Sequence, residues 1–303
     1  MTNLTDFQHK IRDSLPEIAL RMEEPLSRHT SFRIGGAAEV MAFPKSREEL
    51  ARILSVCKTL RCVPRLLGAG TNVLAPDEGV SGLVICLKDG LDGMERLDET
   101  HIRCMAGVTM ARAAVYAAGH GLGGMEFAHG IPGTVGGGVY MNAGAYGGQL
   151  ADICRSVEIM EPDGALVTIP GDEVGFSYRH SSFQSRDCVI VSAVFRLIPG
   201  EQEAIRSRMQ ELMQRRKASQ PLDLPSAGSA FKRPVGGYAA ALIDEAGLRG
   251  FRIGGAGVSE KHAGFVVNLG GATAADVKAV LEQTAQRVRV QSGICLEPEI
   301  RIW

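Results

Sequence analysis

Two glycine-rich stretches contain the residue types and spacing best suited to ligand chemistry. LGAGTNVLAPDEGVSG occupies residues 67–82, and GIPGTVGGGVYMNAGAYGG occupies residues 130–148. Because glycine has no Cβ, the backbone can approach a ligand closely and direct several N–H groups at phosphate oxygens. Together the two stretches could hold one pyrophosphate. Either stretch alone could equally serve tight turns or close backbone packing.

Several familiar catalytic and nucleotide-binding motifs are missing from the sequence. A Walker loop is excluded because the chain contains no Gly-Lys dipeptide. GAGTNV at residues 68–73 supplies the first two glycines of a Rossmann fingerprint, but Val73 occupies the place of the third. The patterns HExxH, CxxC and GxSxG are absent, so zincin, thiol-redox and serine-elbow hydrolase chemistry have no support.

Composition and charge indicate the class of protein in which these stretches would work. Of the 303 residues, 45% are hydrophobic and 22% are charged, which favours a compact globular enzyme with more than one domain. The formal net charge of −1 provides no global field to attract nucleic acid or an anionic membrane. The N-terminus lacks a secretory signal pattern, and no apolar run approaches the roughly 20 residues that span a bilayer. We therefore expect a cytoplasmic protein with neither a nucleic-acid nor a membrane partner.

Cysteine and histidine residues show no pattern typical of a metal site or a disulfide framework. The cysteines are odd in number and scattered singly, which fits reduced thiols that act as small core residues. They are Cys57, Cys62, Cys86, Cys104, Cys154, Cys188 and Cys295. Neither His129, beside the second glycine-rich stretch, nor His180 has the partners that metal or nucleophilic chemistry needs. We expect no bound metal.

The elements that must position the glycine-rich stretches change in character along the chain. Residues 47–60 have apolar residues at helical spacing and follow Ser46, a suitable N-cap, whereas short apolar runs from about residue 80 predict mostly strands. Near Pro199-Gly200 the pattern changes to a charged amphipathic helix at residues 201–217. This change predicts a domain boundary.

The last hundred residues mix element types. PLDLPSAGS at residues 221–229 predicts a loop, and Thr273 with Asp276 predicts a capping box that opens a helix. ICLEPEIRIW at residues 294–303 is expected to be extended, with apolar side chains on one face and charged side chains on the other. The apolar face would hold Ile294, Leu296, Ile300 and Ile302, and the charged face Glu297, Glu299 and Arg301.

Six motifs occur in the order and spacing of one enzyme family. They are TSFRIGG, LGAGTNVL, GIPGTVGGGVYMNAGAYGG, FSYRHSSF, PSAGSAFKRP and LEPEI. From about residue 27 to the C-terminus the chain resembles the UDP-N-acetylenolpyruvoylglucosamine reductases, flavoenzymes that make UDP-N-acetylmuramate for bacterial peptidoglycan. RHSSFQSRDCVIV runs directly from the FSYR motif into a predicted strand, without the tyrosine-bearing segment of type I enzymes. The chain therefore resembles the type II form.

The resemblance implies an α+β fold. Two subdomains of the vanillyl-alcohol oxidase and p-cresol methylhydroxylase type would hold FAD, at residues 1–85 and 86–199. A C-terminal α+β substrate-binding domain would follow at residues 200–295, and a strand at about 296–303 would return to the first subdomain.

The resemblance also implies non-covalent FAD, with NADPH as the reductant. The FAD would lie along the two glycine loops, with loop amides at its pyrophosphate. The implied FAD-binding residues are Arg33, Gly68, Ala69, Gly70, Thr71, Asn72, Val73, Leu74, Gly130, Ile131, Pro132, Gly133, Thr134, Gly136, Gly137 and Asn142.

The reaction implied by the resemblance reduces an enolpyruvyl ether to a lactyl ether. Hydride would come from N5 of the flavin, Arg179 and Glu299 would stabilise the enolate, and Ser229 would donate the proton. A planar guanidinium fork suits a carboxylate or enolate oxygen, and Glu299 would act as a protonated donor or through a bound water. Outside the motif context, Arg179 and Glu299 would be interpreted as solvated positions. Ser226 is interpreted as a turn residue.

The diphosphate of a sugar nucleotide needs cations, and several follow residue 200. The candidates for substrate binding are Lys217, Lys232, Arg233, Lys261 and His262. Each could instead be a solvated surface residue. Tyr238 would stack or hydrogen-bond with the uridine or sugar, or serve packing.

Two alternatives remain at this level. Another flavin oxidase or dehydrogenase of the same fold would explain the glycine loops but leave the PSAGSAFKRP and LEPEI motifs without a role. A non-catalytic binding module would have no need of Arg179, Ser229 and Glu299, and all three are present.

Overall fold

The computed structural model describes residues 4–88 and 90–303. The helices are α1 Asp6–Ser14, α2 Arg47–Leu60, α3 Met110–Gly119, α4 Val135–Tyr140, α5 Gln202–Ser219, α6 Ala239–Glu245 and α7 Ala274–Ser292. The strands are β1 Leu20–Pro25, β2 Ala37–Ala42, β3 Arg65–Leu67, β4 Val73–Leu74, β5 Val80–Cys86, β6 Met94–Arg96, β7 His101–Met105, β8 Leu122–Gly123, β9 Gly144–Ala145, β10 Gly148–Gln149, β11 Cys154–Met160, β12 Leu166–Pro170, β13 Val189–Arg196, β14 Ile198–Pro199, β15 Ser226–Ser229, β16 Arg252–Ile253, β17 Ala256–Val258, β18 Phe265–Asn268 and β19 Arg301–Ile302. The α+β class expected from the sequence is confirmed.

Contacts divide the chain into two units that alternate along the sequence. The first comprises Met1–Glu24, Glu39–Ala69 and Ser81–Gln214. The second comprises Pro25–Ala38, Gly70–Val80 and Arg215–Trp303, so the chain enters it three times. The three-part division expected from the sequence stays a prediction.

The first unit is built around two sheets. The order β1-β2-β5-β3 forms a four-stranded sheet, most of whose residues belong to this unit, and β3 is parallel to β5. The order β12-β11-β13-β7-β6 forms a five-stranded antiparallel sheet. The core of the unit includes Ile53 of α2, Ile85 of β5, Val157 of β11 and Phe195 of β13.

The second unit contains the antiparallel sheet β15-β18-β17-β16 and the parallel pair β19-β4. Its core combines Val277 and Leu281 of α7 with Phe32, Ile34 and Leu74 from the two short early segments. Phe32 and Leu74 are fully buried. The short segments therefore supply core side chains to a unit whose larger part begins at Arg215.

Two helices have the ends that the sequence predicted. The hydroxyl of Ser46 accepts the N–H of Glu49 at 3.2 Å, and α2 covers residues 47–60 as expected. Thr273 and Asp276 form a complete capping box at the start of α7, which ends at Gly293 with a φ of +75°. Both predictions are confirmed.

Three local predictions are wrong in part. Residues 226–229 of the expected loop form β15, because their backbone pairs with β18. The second glycine-rich stretch, expected to be a loop, contains α4. In the C-terminal segment only Arg301–Ile302 is a strand, paired with β4 alone, so the apolar face ends at Ile300 and Ile302 is 44% exposed.

Candidate functional site

The two glycine-rich stretches meet in the first unit. A Cβ on Gly68 would lie 2.5 Å from Oγ1 of Thr134, which is buried. Gly133 has a φ of +120°, which strongly favours glycine, and its carbonyl accepts the N–H of Met110 at 3.0 Å. Contact between the stretches therefore requires glycine at position 68.

Packing explains some of the glycines in α4. A Cβ on Gly136 would lie 2.9 Å from Cβ of Ala106, and a Cβ on Gly138 would lie 2.9 Å from Sδ of Met110. The N–H of Gly136 donates to the carbonyl of Ala106 at 2.9 Å. This N–H is therefore used within the protein, and the N–H of Gly137, an exposed residue, donates to Oγ1 of Thr134 at 3.4 Å.

Several candidate residues of the two stretches are partly accessible to solvent. Pro132 and Gly137 are exposed, and the other open positions are half-buried. The half-buried candidates are Gly68, Ala69, Gly130, Ile131 and Gly133. Close glycine contacts beside an accessible backbone fit the requirements of a bound dinucleotide.

Asn142 uses its side chain inside the first unit. The residue is buried and has a φ of +43°, which asparagine tolerates better than most residues. Its amide nitrogen donates to Oε1 of Gln149 and to the carbonyl of Ser177, each at 3.0 Å. Its Oδ1 accepts the N–H of Ala151 at 2.9 Å. Asn142 thus ties the end of the second glycine-rich stretch to the FSYR segment.

Arg179 lies in a tight turn of the first unit. The backbone groups of Ser177 and His180 bond to each other in both directions, each at 3.1 Å. Between them Tyr178 is exposed, and the guanidinium of Arg179 lies 5.1 Å from the centre of its ring. Arg179 itself has a φ of +55°, an uncommon conformation for a residue with a side chain. The turn presents the arginine at the surface of the unit rather than in its core.

Ser229 and Glu299 lie on neighbouring segments of the second unit. The N–H of Glu299 donates to the carbonyl of Ala230 at 2.9 Å, and the N–H of Lys232 donates to the carbonyl of Glu297 at 2.8 Å. These bonds flank an antiparallel bridge between residues 231 and 298. Both Ser229 and Glu299 are half-buried. The fold therefore places the backbone segments that carry Ser229 and Glu299 side by side, although the two residues are 70 positions apart in the sequence.

An irregularity in β15 sets the backbone course next to Ser229. Ser226 pairs with Val267 and Ser229 pairs with Phe265, so the register shifts between them. Gly228 takes a φ of +77° within the shift. Bulges of this kind redirect a side chain, and they are common beside active sites.

Ser31 anchors the start of this irregular segment. Its hydroxyl donates to the carbonyl of Ser226 at 2.6 Å, and its N–H donates to the carbonyl of Gly70 at 3.1 Å. One residue of the TSFRIGG motif therefore contacts both the PSAGS segment and the first glycine-rich stretch.

Gly70–Val80 of the first stretch belong to the second unit with Arg33. Gly70 has a φ of +60°, and a Cβ there would lie 2.1 Å from the carbonyl oxygen of His29. Asn72 donates its side-chain amide to the carbonyl of Glu299 at 3.1 Å. Thr71 and Val73 are half-buried, Leu74 lies in the core, and Arg33 is exposed with a φ of +57°.

Lys217 and Lys261 approach each other in the second unit. The Lys261 ammonium donates to the carbonyl of Lys217 at 2.6 Å, and both residues are exposed. His262 follows directly; burial lowers its pKa, and its ring packs edge-on against Phe265 at 5.0 Å. The lowered pKa of His262 favours its neutral ring, so the two lysines carry the positive charge of this segment pair.

The other cation candidates have partners of their own. Lys232 pairs with Glu297, and the guanidinium of Arg233 lies 4.5 Å from the ring centre of Tyr238. Tyr238 is 62% exposed, so it is available for an aromatic contact.

The raised pKa values of three cysteine thiols fit a structural rather than a reactive role. Burial raises the pKa of Cys104 and of Cys154 to about 12, and that of Cys188 to about 11. In residues 4–88 and 90–303, no group of three or more His, Cys, Asp and Glu side chains is arranged to hold a metal ion.

No helix among the described residues is both long enough and apolar enough to cross a membrane. The cytoplasmic location stays a prediction.

Three polar residues near the candidate catalytic groups escaped the sequence analysis. Ser31 lies inside a recognised motif, but its contact with Ser226 spans 195 residues. Gln184 immediately follows the FSYRHSSF motif and contacts the carbonyl of Arg179. Asp77 accepts N–H groups from the start of α7. Residue type alone carries no signal for the partners of Ser31 and Asp77, which lie 195 or more residues away.

Comparison with known proteins identifies two matching family models. A model described as "UDP-N-acetylenolpyruvoylglucosamine reductase, C-terminal domain" matches residues 220–303, and one described as "FAD binding domain" matches residues 38–170.

Three relatives share the first of these names over nearly their full length. The UDP-N-acetylenolpyruvoylglucosamine reductase of Caldanaerobacter subterraneus subsp. tengcongensis is 43% identical and that of Agathobacter rectalis is 42% identical. The alignments cover 97% and 98% of this chain and 96% and 98% of those relatives. The enzyme of Streptococcus pneumoniae strain 70585 is also 42% identical, with 97% of each chain covered.

One solved structure matches both the sequence and the fold. The crystal structure of the UDP-N-acetylenolpyruvylglucosamine reductase from Thermus caldophilus is 35% identical to this chain, with a TM-score of 0.76. The match covers 95% of this chain and 99% of that one.

Proposed function

Because the chain belongs to the UDP-N-acetylenolpyruvoylglucosamine reductase family, we propose that it catalyses the NADPH-dependent reduction of UDP-N-acetylglucosamine enolpyruvate to UDP-N-acetylmuramate. It is an FAD-dependent oxidoreductase of peptidoglycan precursor synthesis. When bound, FAD supplies the hydride that it has received from NADPH. The remaining steps depend on side chains of the protein.

The observation that best supports this proposal is that the backbone segments carrying Ser229 and Glu299 are hydrogen-bonded neighbours. Saturating the vinyl group requires a proton donor and a group that stabilises negative charge on the adjoining carboxylate. The bond from the N–H of Glu299 to the carbonyl of Ala230 fixes both side chains on adjacent backbone segments. A step in which two protein groups act on neighbouring atoms of one substrate needs those groups to be held close together.

Ser229 is the proposed proton donor. A serine hydroxyl is a weak acid in water, but an enolate formed beside it is basic enough to take its proton when the geometry is held. The shift in register at β15 and the bond from Ser31 to Ser226 hold the backbone on which this hydroxyl lies.

Arg179 and Glu299 are the proposed enolate stabilisers. A guanidinium offers two parallel N–H donors to a carboxylate, which suits the carboxyl group of the enolpyruvyl substrate. Arg179 is half-buried in a turn at which Tyr178 is exposed, and its guanidinium lies 5.1 Å from the centre of that ring. Glu299 would add a hydrogen bond from its protonated form or through water.

Residues of each unit are proposed to hold FAD. In the first unit these are the adjoining segments at Gly68 and Gly130–Gly137, and in the second they are Arg33 and the segment Gly70–Leu74. A Cβ at Gly68 or Gly70 would lie 2.5 Å or less from Thr134 or His29, so glycine lets each segment pack closely against its neighbour within the protein. Lys217 and Lys261, which are joined by the bond from the Lys261 ammonium to the carbonyl of Lys217, are proposed to bind the substrate diphosphate.

An anaerobic titration followed by flavin absorbance tests the proposed reaction. Purified holoenzyme should bleach on addition of NADPH and recover its oxidised spectrum on addition of UDP-N-acetylglucosamine enolpyruvate, with UDP-N-acetylmuramate detected by mass spectrometry. A protein that takes up no FAD would refute the flavoenzyme assignment. Bleaching without recovery, together with oxygen consumption on alcohols or hydroxy acids, would instead identify a different flavin oxidase.

A further inference from the structure

The C-terminal end of α4 receives two side-chain donors from the segment after Arg179. The carbonyl of Tyr140, the last residue of α4, accepts the hydroxyl of Ser181 at 2.8 Å and Nε2 of Gln184 at 2.9 Å. Carbonyls in the last turn of a helix have no partner within the helix, so these donors satisfy one of them. Ser181 is fully buried.

Gln184 also contacts the turn that holds Arg179. Its Nε2 donates to the carbonyl of Arg179 at 3.0 Å and lies 3.7 Å from Sδ of Met141. A side-chain amide has two N–H hydrogens, so one can serve Tyr140 and the other Arg179. Gln184 therefore connects the helix end and the arginine backbone through a single group.

The Arg179 turn needs such support because of its backbone conformation. A φ of +55° brings Cβ close to the backbone, and residues other than glycine rarely adopt it without outside contacts. Asn142 holds the other side of the turn through the carbonyl of Ser177 at 3.0 Å. Side-chain amides therefore bind the turn at Ser177 and at Arg179.

We propose that Gln184 is a positioning residue for the reduction: by bonding the carbonyls of Tyr140 and Arg179, it holds the turn in the conformation that presents the Arg179 guanidinium to the substrate carboxylate. This inference rests on the proposed role of Arg179. Gln184 does not itself touch the substrate, so its effect appears only in the steps that use the arginine.

A pair of substitutions at Gln184 distinguishes hydrogen-bond donation by its side chain from simple packing. Gln184→Leu keeps a similar volume and removes both donors, whereas Gln184→Lys supplies an ammonium that can donate to both carbonyls. Ser185→Ala is the matched control, since Ser185 is exposed and its hydroxyl bonds only the nearby carbonyl of Ser182. Each variant is purified with FAD, and its thermal unfolding midpoint is compared with that of the wild type.

The measurement is stopped-flow absorbance of the two half-reactions. We expect Gln184→Leu to slow reoxidation by the enolpyruvyl substrate by about tenfold or more and to raise the KM for that substrate, because a small misplacement of a binding group is costly. Reduction by NADPH should stay within about twofold of wild type, a difference of less than about 0.5 kcal/mol. Gln184→Lys should recover most of the lost rate, and Ser185→Ala should match the wild type.

A wild-type reoxidation rate in Gln184→Leu, or a lysine variant as slow as the leucine variant, would overturn the inference. So would equal slowing of both half-reactions. If Gln184→Leu does not fold, Gln184→Asn takes its place, because its amide is one methylene too short to reach both carbonyls, and the same loss is expected. Arg179→Ala is measured in parallel: fast reoxidation there would refute the arginine's proposed role, whereas slow reoxidation with a normal Gln184→Leu would refute only the inference about Gln184.

Discussion

At the scale of single residues, side-chain donors that bind backbone carbonyls hold each segment proposed for catalysis. Ser31 binds the carbonyl of Ser226, Asn72 binds that of Glu299, and Gln184 binds that of Arg179. A bond to a carbonyl fixes the backbone without using the side chain of the bound residue. The three proposed catalytic groups thus depend on residues that do no chemistry themselves.

Ser229→Ala tests the proposed proton donor. We expect reoxidation by the enolpyruvyl substrate to fall by about 100-fold or more, the usual effect of losing a general acid, while NADPH reduces the flavin at the normal rate. Stopped-flow absorbance of each half-reaction provides the measurement. Ser226→Ala is the control, because Ser31 binds its backbone carbonyl and that bond survives the substitution. Equal loss in both half-reactions of Ser229→Ala would show that the serine is structural.

The residue types at the candidate site were predictable, but their mutual contacts were not. The motifs identified Arg179, Ser229 and Glu299 by local spacing, which the sequence carries directly. The contact between Asn72 and Glu299 spans 227 residues, and neither local pattern contains information about the other. For the same reason Asn142, expected to contact FAD, could not be recognised as a residue whose amide is used within the protein.

At the scale of elements, local sequence patterns predicted where a helix begins, and residues distant in the sequence supply further hydrogen bonds at that end. The capping box of Thr273 and Asp276 was readable from sequence because it lies within four residues. The next donors along the helix, the N–H groups of Ala274 and Ala275, bond to Oδ1 and Oδ2 of Asp77 at 2.7 and 3.1 Å. A residue from one of the short segments therefore caps the longest helix of the second unit.

α4 escaped prediction because three of its six residues are glycine, which disfavours a helix, and the close packing at Ala106 and Met110 overrides that preference.

Asp77→Ala tests this distant cap. We expect a loss of about 1 kcal/mol in the free energy of unfolding, since two N–H groups at the start of α7 lose a charged acceptor. Urea unfolding followed by circular dichroism measures the change. Glu78→Ala removes a neighbouring exposed carboxylate and should have little effect; a similar loss in both variants would indicate a general charge effect rather than a cap.

At the scale of the whole molecule, the order of segments along the chain departs from a simple series of domains. The second unit includes Pro25–Ala38 and Gly70–Val80 as well as the part from Arg215 onward. Its core contains Phe32 and Leu74, both fully buried. The composition change near residue 200 marked the start of the last segment, but no local signal assigned the two early segments to it.

A fragment of residues 215–303 should therefore fail to fold. Losing one buried phenylalanine side chain costs about 3–5 kcal/mol, a large share of the about 5–15 kcal/mol that stabilises a typical domain. The fragment also lacks the Asp77 cap and the strand partner of β19. We expect no cooperative thermal transition, whereas the full chain shows one under the same conditions. A sharp transition with native-like circular dichroism would show that the early segments are dispensable.

The pairing of β19 with β4 has a consequence for synthesis on the ribosome. Residues of the first unit have all been translated once Gln214 is added, so that unit can form while the rest of the chain is still being made. Val73 and Leu74 cannot pair with Arg301 and Ile302 until those residues are translated, more than 220 residues later. During that interval Phe32, Ile34 and Leu74 have no completed core, so the nascent chain carries exposed apolar segments that a chaperone can bind. The bond from Asn72 to the carbonyl of Glu299 can likewise form only after Glu299 has left the exit tunnel.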